Sequence, residues 1–225
     1  MKELLKKIQA QEIEIKVIDS NIDYADYVAI DLSATHTDVL NLNLTDAKIF
    51  EVFIENHLEK NKAKVAFGGY LETRNLYKRS TVFKNTNTEE RNIHIGLDLW
   101  IKAGTNVLAA LDGKIHSFKN NTALGDYGPT LILEHYFENT TFYTLYGHLS
   151  LDSLTDKKVG TKVNKGETIA KLGAPPINGD YAPHLHFQII KDMQGKKGDY
   201  PGVCSKSELA FYLENCPNPN LLLSI

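Results

Sequence analysis

Hydrophobic positions along the chain follow two rhythms, and the change falls near residue 67. Before it, Lys2 to Gln11 has the spacing of a short amphipathic helix. Asp46 to Asn61 has that of a longer one, with Ile49, Phe50, Phe53, Ile54, His57 and Leu58 recurring at helical intervals behind Thr45, a residue able to cap. Strand-like sequence such as Tyr27-Val-Ala-Ile-Asp-Leu lies between the two. From Phe67 onward, short apolar runs are punctuated by Gly, Asn, Asp and Pro, as in VLAALDGKIHSF, TLILEHYF, TFYTLYGHL, GTKVNKGETIAKLG and HLHFQII. That pattern predicts antiparallel strands. Near the end, Ser205-Lys-Ser-Glu208 has the form of a capping box for a helix through Cys216, which Pro217 and Pro219 then stop. The fold class expected is therefore mainly β. An antiparallel sheet or barrel-sandwich domain over residues 67–200 follows an α/β extension at 1–66 and precedes a short C-terminal helix and tail at 201–225. The extension is expected to pack on the β domain, because its apolar helix stripe needs a partner surface.

Composition narrows the chemistry. With 42% hydrophobic and 24% charged residues the chain can bury a sizeable core, which excludes disorder as its overall state. The formal charge of −3, from 25 basic and 28 acidic residues without a basic block, offers no footprint for nucleic acid or an anionic membrane. Peptide or small-molecule chemistry is the better expectation. The opening stretch MKELLKKIQAQEIEIKV never presents the uninterrupted apolar run of a signal peptide, and no window reaches the length of a membrane span. A cytoplasmic protein without a membrane partner is expected, unless export uses a route that this stretch does not display. Cys204 and Cys216 form neither a disulfide framework nor a zinc knuckle, so both are read as ordinary reduced thiols. Two segments, Gly104-Thr-Asn-Val-Leu-Ala-Ala-Leu-Asp-Gly-Lys-Ile and Gly160-Thr-Lys-Val-Asn-Lys-Gly-Glu-Thr-Ile-Ala-Lys-Leu-Gly, form the nearest thing to a repeat. Each resembles the hammerhead hairpin of barrel-sandwich folds such as biotinyl and lipoyl carriers, yet neither holds the carrier lysine between small or Met neighbours.

Eight histidines are scattered along the chain, and scattered histidines are mostly packed or solvated. His36, His57, His116 and His135 are read in that way. The other four are arranged differently. In His184-Leu-His-Phe-Gln-Ile a strand period of two sends His184 and His186 to one face and Leu185 and Phe187 to the core. In His94-Ile-Gly-Leu-Asp98 an extended chain would hold the ends about 13 Å apart, too far for one metal, so the segment must bend. Gly96 at its centre can take up the bend and leave room for a close approach. His148, ending Phe142-Tyr-Thr-Leu-Tyr-Gly-His, comes from a third strand and would share a face with Thr144 and Tyr146. These segments supply one imidazole more than a three-ligand site needs, plus a short carboxylate. That set suits a catalytic zinc held by two His and one acid with water in the fourth position, leaving the surplus histidines for proton work.

Arg91-Asn-Ile-His-Ile-Gly-Leu-Asp98, Ala109-Ala-Leu-Asp-Gly-Lys-Ile115, Leu131-Ile-Leu-Glu-His135, Tyr143-Thr-Leu-Tyr-Gly-His-Leu149, Val163-Asn-Lys-Gly-Glu-Thr-Ile-Ala170 and Pro183-His-Leu-His-Phe187 resemble, in order, the motifs of lysostaphin-type (LytM-like) zinc endopeptidases. The resemblance covers about 90 to 190. It implies a mainly antiparallel sheet with the site in a groove, one Zn²⁺ per chain with His94, Asp98 and His186 as ligands, and His148 and His184 as unliganded catalytic histidines. It also implies a peptide or peptidoglycan-fragment substrate, since such enzymes cut short bridges or stems of bacterial cell walls. Two departures stand out. The loop Gly173-Ala-Pro-Pro-Ile-Asn-Gly-Asp-Tyr-Ala-Pro183 replaces the usual Gly-rich turn and would reshape a groove wall, and Gln188 stands where the family usually has Glu.

The activity expected is hydrolysis of a peptide bond by a metal-activated water, with one of His148 and His184 accepting the proton of the water and the other serving the oxyanion or the leaving amine. Arg74 or Arg79, in Phe67-Gly-Gly-Tyr-Leu-Glu-Thr-Arg-Asn-Leu-Tyr-Lys-Arg-Ser80, could bind a substrate carboxylate, or that segment could cover the groove. Tyr146 is a candidate lining residue. Competing readings are a non-catalytic zinc or peptide-binding module of the same fold and a phosphocarrier resembling glucose-permease IIA domains. Asp98 and the H-x-H strand argue against the latter, because a phosphoryl-accepting histidine needs no zinc-ligating aspartate.

Overall fold

The alternating runs after residue 67 fold as strands, and what closes them is local turn chemistry. A computed structural model of the chain describes residues 1–11, 14–40, 42–75 and 89–225. The strands are β1 (Tyr27–Ala29), β2 (Val65–Gly68), β3 (Ile93–His94), β4 (Leu97–Trp100), β5 (Asn106–Leu108), β6 (Gly113–Asn121), β7 (Gly128–Phe137), β8 (Thr140–Gly147), β9 (Lys162–Val163), β10 (Thr168–Lys171), β11 (His184–Ile190) and β12 (Val203–Cys204). The helices are α1 (Lys2–Gln11), α2 (Thr37–Leu40), α3 (Ala47–Asn61), α4 (Leu209–Asn215) and α5 (Asn220–Leu223). The expected mainly β architecture is present. An eight-stranded sheet runs β1-β2-β4-β11-β8-β7-β6-β9, antiparallel except between β1 and β2. The hairpin β7–β8 turns on Glu138 and Asn139, whose φ values of 43° and 62° are those of a two-residue turn matched to the twist of the strands.

The repeat-like segments interlock. β5 pairs with β10 and β6 pairs with β9, so each arm of one segment finds its partner in the other. Residue 67 falls inside β2, which pairs with β1 on one side and β4 on the other. Strands from either side of the change in rhythm therefore share one sheet. Leu5 and Ile8 of α1 lie in the same core cluster as Leu222 and Leu223 of α5 and the inner face of the sheet, including Leu99, Leu185 and Phe187. On the other side, Phe50 and Ile54 of α3 pack with Trp100 of β4.

Two helix starts differ from expectation. Asp46 and not Thr45 caps α3, its carboxylate accepting from the amides of Lys48 (2.9 Å) and Ile49 (3.1 Å). Helix α4 begins at Leu209, because Glu208 reaches back to the Ser205 amide and hydroxyl and the box forms a turn ahead of the helix. Cys204 and Cys216 are free and buried, and burial pushes their thiols up to about 11 and about 12. Among the described residues no helix is long and apolar enough to cross a membrane.

His135 is packed, as read from the sequence. It is 2% exposed and bridges Asp112 O (2.8 Å) and Thr144 Oγ1 (2.7 Å), and burial pushes its pKa down to about 4. The unfolded chain, with an ordinary histidine near 6.5, binds more protons between those values, so stability rises with pH through the window and is lost as pH falls from about 6.5 towards 4. From pH 7 to pH 5 this group alone should lower stability by about 2 kcal/mol. Urea unfolding at both pH values should show that drop shrinking in His135→Gln; an equal drop in both proteins would rule the assignment out.

Candidate active site

The site is assembled by strand register. Asp98 of β4 lies directly opposite His186 of β11, and the row continues into Gly68 of β2 and Gly147 of β8, so two small residues flank the pair. Two residues along, Trp100 faces His184, and the rings stack at 5.7 Å. Leu97, Leu99, Leu185 and Phe187 point to the opposite face and into the core, as a period of two requires. His94 arrives by the expected bend. β3 pairs with β12 and β4 with β11, and the chain changes sheets at Ile95 and Gly96. A Cβ on Gly96 would stand 2.3 Å from His186 Cε1, so only glycine allows the imidazole to lie there.

Three donor atoms converge as a result. His94 Nε2, His186 Nδ1 and Asp98 Oδ1 form a triangle with edges of 2.9, 3.0 and 3.3 Å, all three side chains buried. The remaining ring nitrogens fix the tautomers. His94 Nδ1–H donates to Gly69 O (3.0 Å) and His186 Nε2–H to Gln188 Oε1 (2.9 Å). The Gln188 amide is oriented in turn by donating from Nε2 to Pro201 O (3.0 Å), which can only accept. Both nitrogens of the triangle therefore present lone pairs toward a carboxylate oxygen, an arrangement that calls for a cation. The edges are close to the roughly 3.3 Å separating donors around a tetrahedral zinc. The donor set thus fits zinc, and Gln188 supplies the outer bond through a neutral amide where a Glu would bring a charge. Burial would raise the Asp98 carboxyl, but His94, Arg74 and His186 hold it well below the usual range. Burial pushes His94 down to about 4, so its imidazole is neutral.

His148 and His184 lie beside the triangle with ring centroids 4.1 Å apart. Each donates Nδ1–H to a carbonyl, His148 to Asn178 O and His184 to Ala182 O, both at 2.7 Å, which leaves Nε2 as the basic atom. Burial lowers both pKa values, His148 further because His184 and His186 crowd it. A cavity of about 170 Å³ opens over the five residues, with Tyr127, Tyr181 and Trp100 in its walls and Lys196 among its lining.

Three expectations about the groove change. Tyr146 lies away from it: the side chain is fully buried against Phe187, and its hydroxyl binds Ala110 N (3.0 Å) and Thr144 Oγ1 (3.2 Å). The alternation that would place His148 with Tyr146 is broken because His148 has φ 62°, which turns its side chain to the other face of the sheet. Arg74 is 2% exposed and turned toward the donors, where Nη1 binds Asp98 Oδ2 (2.5 Å) and Nε binds Glu72 Oε2 (2.8 Å). It is held there because Thr73 bridges to Ile93. Arg79 lies outside the described residues. Tyr127, Tyr181 and Asn178 were not foreseen. The Tyr127 ring lies 5.0 Å from that of His186 and 5.6 Å from that of His148, and Tyr181 meets His148 edge-on at 5.3 Å. The only sequence signal for them is their place in Gly-rich loops, which does not separate a site wall from an ordinary turn.

Comparison with solved structures returns the catalytic domain of lysostaphin from Staphylococcus simulans at 23% identity, covering 68% of this chain and 93% of that one with a TM-score of 0.41. A zinc-containing peptidase from Vibrio cholerae shares 29% identity over 47% of this chain, TM-score 0.33, and a Pseudomonas aeruginosa protein assigned to peptidase M23 shares 20% over 58%, TM-score 0.38. The chain spans 29% of the Vibrio protein and 43% of the Pseudomonas one. None of the curated proteins compared with the chain matches it. The model of peptidase family M23 matches residues 92–199, the stretch that contains His94, Asp98, His148, His184 and His186, and this stretch is thus a peptidase M23 domain.

Proposed function

We propose that this chain is a zinc-dependent endopeptidase that hydrolyses a peptide bond in peptidoglycan-type or related short peptides. The observation that carries the reading is the convergence of three buried lone pairs, from His94, Asp98 and His186, next to two imidazoles whose Nε2 atoms bond to none of the described residues. Zinc bound by those three residues supplies a Lewis acid that polarises a carbonyl and acidifies water. The protein supplies the rest. His148 and His184, neutral because they are buried, offer Nε2 to accept a proton from water and return one to the leaving amine. Their Nδ1–H bonds to main-chain carbonyls fix the rings, so neither has to reorient during the reaction. The aromatic walls limit water around the reacting carbonyl and leave an open groove suited to an extended peptide.

The test joins metal content to turnover. Elemental analysis of the purified protein should give about one zinc per chain, and a library of short peptides, peptidoglycan stems and bridges included, should be cut in a way that chelation stops and zinc restores. Zinc without turnover on any such peptide would replace this reading with a non-catalytic zinc module of the same fold. Absence of zinc binding would remove both.

A further inference from the structure

Two of the three donor residues are held by a segment that precedes the M23-matched region. Residues 69–74 run antiparallel to 92–94: Leu71 N binds His94 O (2.8 Å), His94 N binds Glu72 O (2.9 Å) and Arg74 N binds Asn92 O (2.9 Å). From this strap Gly69 O accepts the Nδ1–H of His94, and Arg74 Nη1 binds the outer oxygen of Asp98. Gly69 has φ 104°, and a Cβ there would stand 2.1 Å from Arg74 Nη2 and 2.9 Å from His94 Nδ1, so the strap can lie this close only as glycine. The Arg74 guanidinium also sits 5.5 Å from the centre of the Trp100 ring, which stacks on His184 as well.

We infer that Arg74 is a positioning residue for the metal: by occupying Asp98 Oδ2 from the strap, it makes Asp98 a one-oxygen ligand through Oδ1 and fixes that oxygen against His94 and His186. This rests on the zinc reading above. Asp98 Oδ1 is the oxygen that faces both imidazole nitrogens, and Oδ2 is the one Arg74 takes, so the two oxygens have separate tasks. Charge does not argue against a cation beside a cation site, because Glu72 Oε2 lies 2.8 Å from Arg74 Nε and offsets the guanidinium. A lysine could not do the same work. Its single ammonium cannot bind Asp98 and Glu72 along two edges of a planar fork. The role differs from that of a substrate clamp, which would raise KM and leave the metal alone.

Arg74→Gln and Arg74→Lys are compared with the full-length parent for zinc affinity, by competition with a chromogenic chelator, and for kcat and KM at saturating zinc. Both should bind zinc about 10- to 100-fold more weakly, the range found when the outer partner of a ligand is lost, and kcat should fall while KM stays within about twofold. Glu72→Gln keeps the Arg74 to Asp98 bond but frees its far end. It should shift zinc affinity in the same direction by less, and it carries the test if the Arg74 variants do not fold by circular dichroism. Unchanged or tighter zinc binding in the folded variants overturns the inference, as does a raised KM with zinc affinity and kcat intact. Failure of the parent itself to bind zinc is a different result and counts against the proposed function.

Discussion

Alanine at His94, Asp98 or His186 is expected to empty the metal site in all three variants. Each change removes one of three protein donors, and the loss should exceed the roughly 10- to 100-fold that follows from losing an outer partner. Activity should track metal content and recover in part with excess zinc. The variants should nevertheless differ in stability. Asp98→Ala removes one of the two carboxylates that flank the buried Arg74 guanidinium, and because Glu72 stays in place the cost should fall below the about 3–5 kcal/mol of leaving a buried charge uncompensated. Asp98→Asn, which keeps an acceptor for Arg74, separates metal loss from that cost. Elemental analysis beside thermal melts on the same preparations reads both. Strand register makes the sharper commitment, because His186 and not His184 stands opposite Asp98. A His184→Ala protein without zinc and a His186→Ala protein still loaded would reverse the ligand assignment in that strand.

Much of this site was legible because a strand imposes a period of two. Once His184-Leu-His-Phe187 is read as a strand, the sharing of a face by His184 and His186 follows, and so does the burial of Leu185 and Phe187 on the other. Gly96 was legible for a related reason: the distance from His94 to Asp98 in an extended chain is incompatible with one metal, so a bend and a close approach had to fall between them. The same rule failed at His148. Counting in twos from Tyr146 puts both on one face, but the left-handed backbone at His148 reverses the side chain, and nothing in Tyr146-Gly-His148 marks that reversal. Contacts made across long stretches of sequence were also hidden. Gly69 O, Arg74 and Asn178 O each serve a histidine or aspartate 24 to 30 residues away, and no local pattern encodes such a meeting. Arg74 was visible as a purposeful charge, but its partner could be chosen only after β2 had been placed beside β4.

Removing His148 or His184 should leave zinc in place and slow turnover by about 10²–10⁴-fold, the usual contribution of a proton-transfer group. Neither belongs to the donor triangle, and the bonds that fix the three donors run through Gly69, Gln188 and Arg74, so elemental analysis should find the parent's metal content in both alanine variants. His148 needs a second substitution to be read cleanly. Its φ of 62° is costly for alanine, about 1–2 kcal/mol, whereas asparagine tolerates that region. His148→Asn should therefore be as slow as His148→Ala but more stable, which separates lost chemistry from backbone strain. The two rings are 4.1 Å apart and serve one proton path, so the double variant should lose less than the product of the single losses. Multiplicative losses would mean that the two histidines act at independent steps. Retention of full activity by either variant at full zinc occupancy would take that residue out of the reaction, and the remaining imidazole would have to both accept the proton of water and return it to the leaving amine.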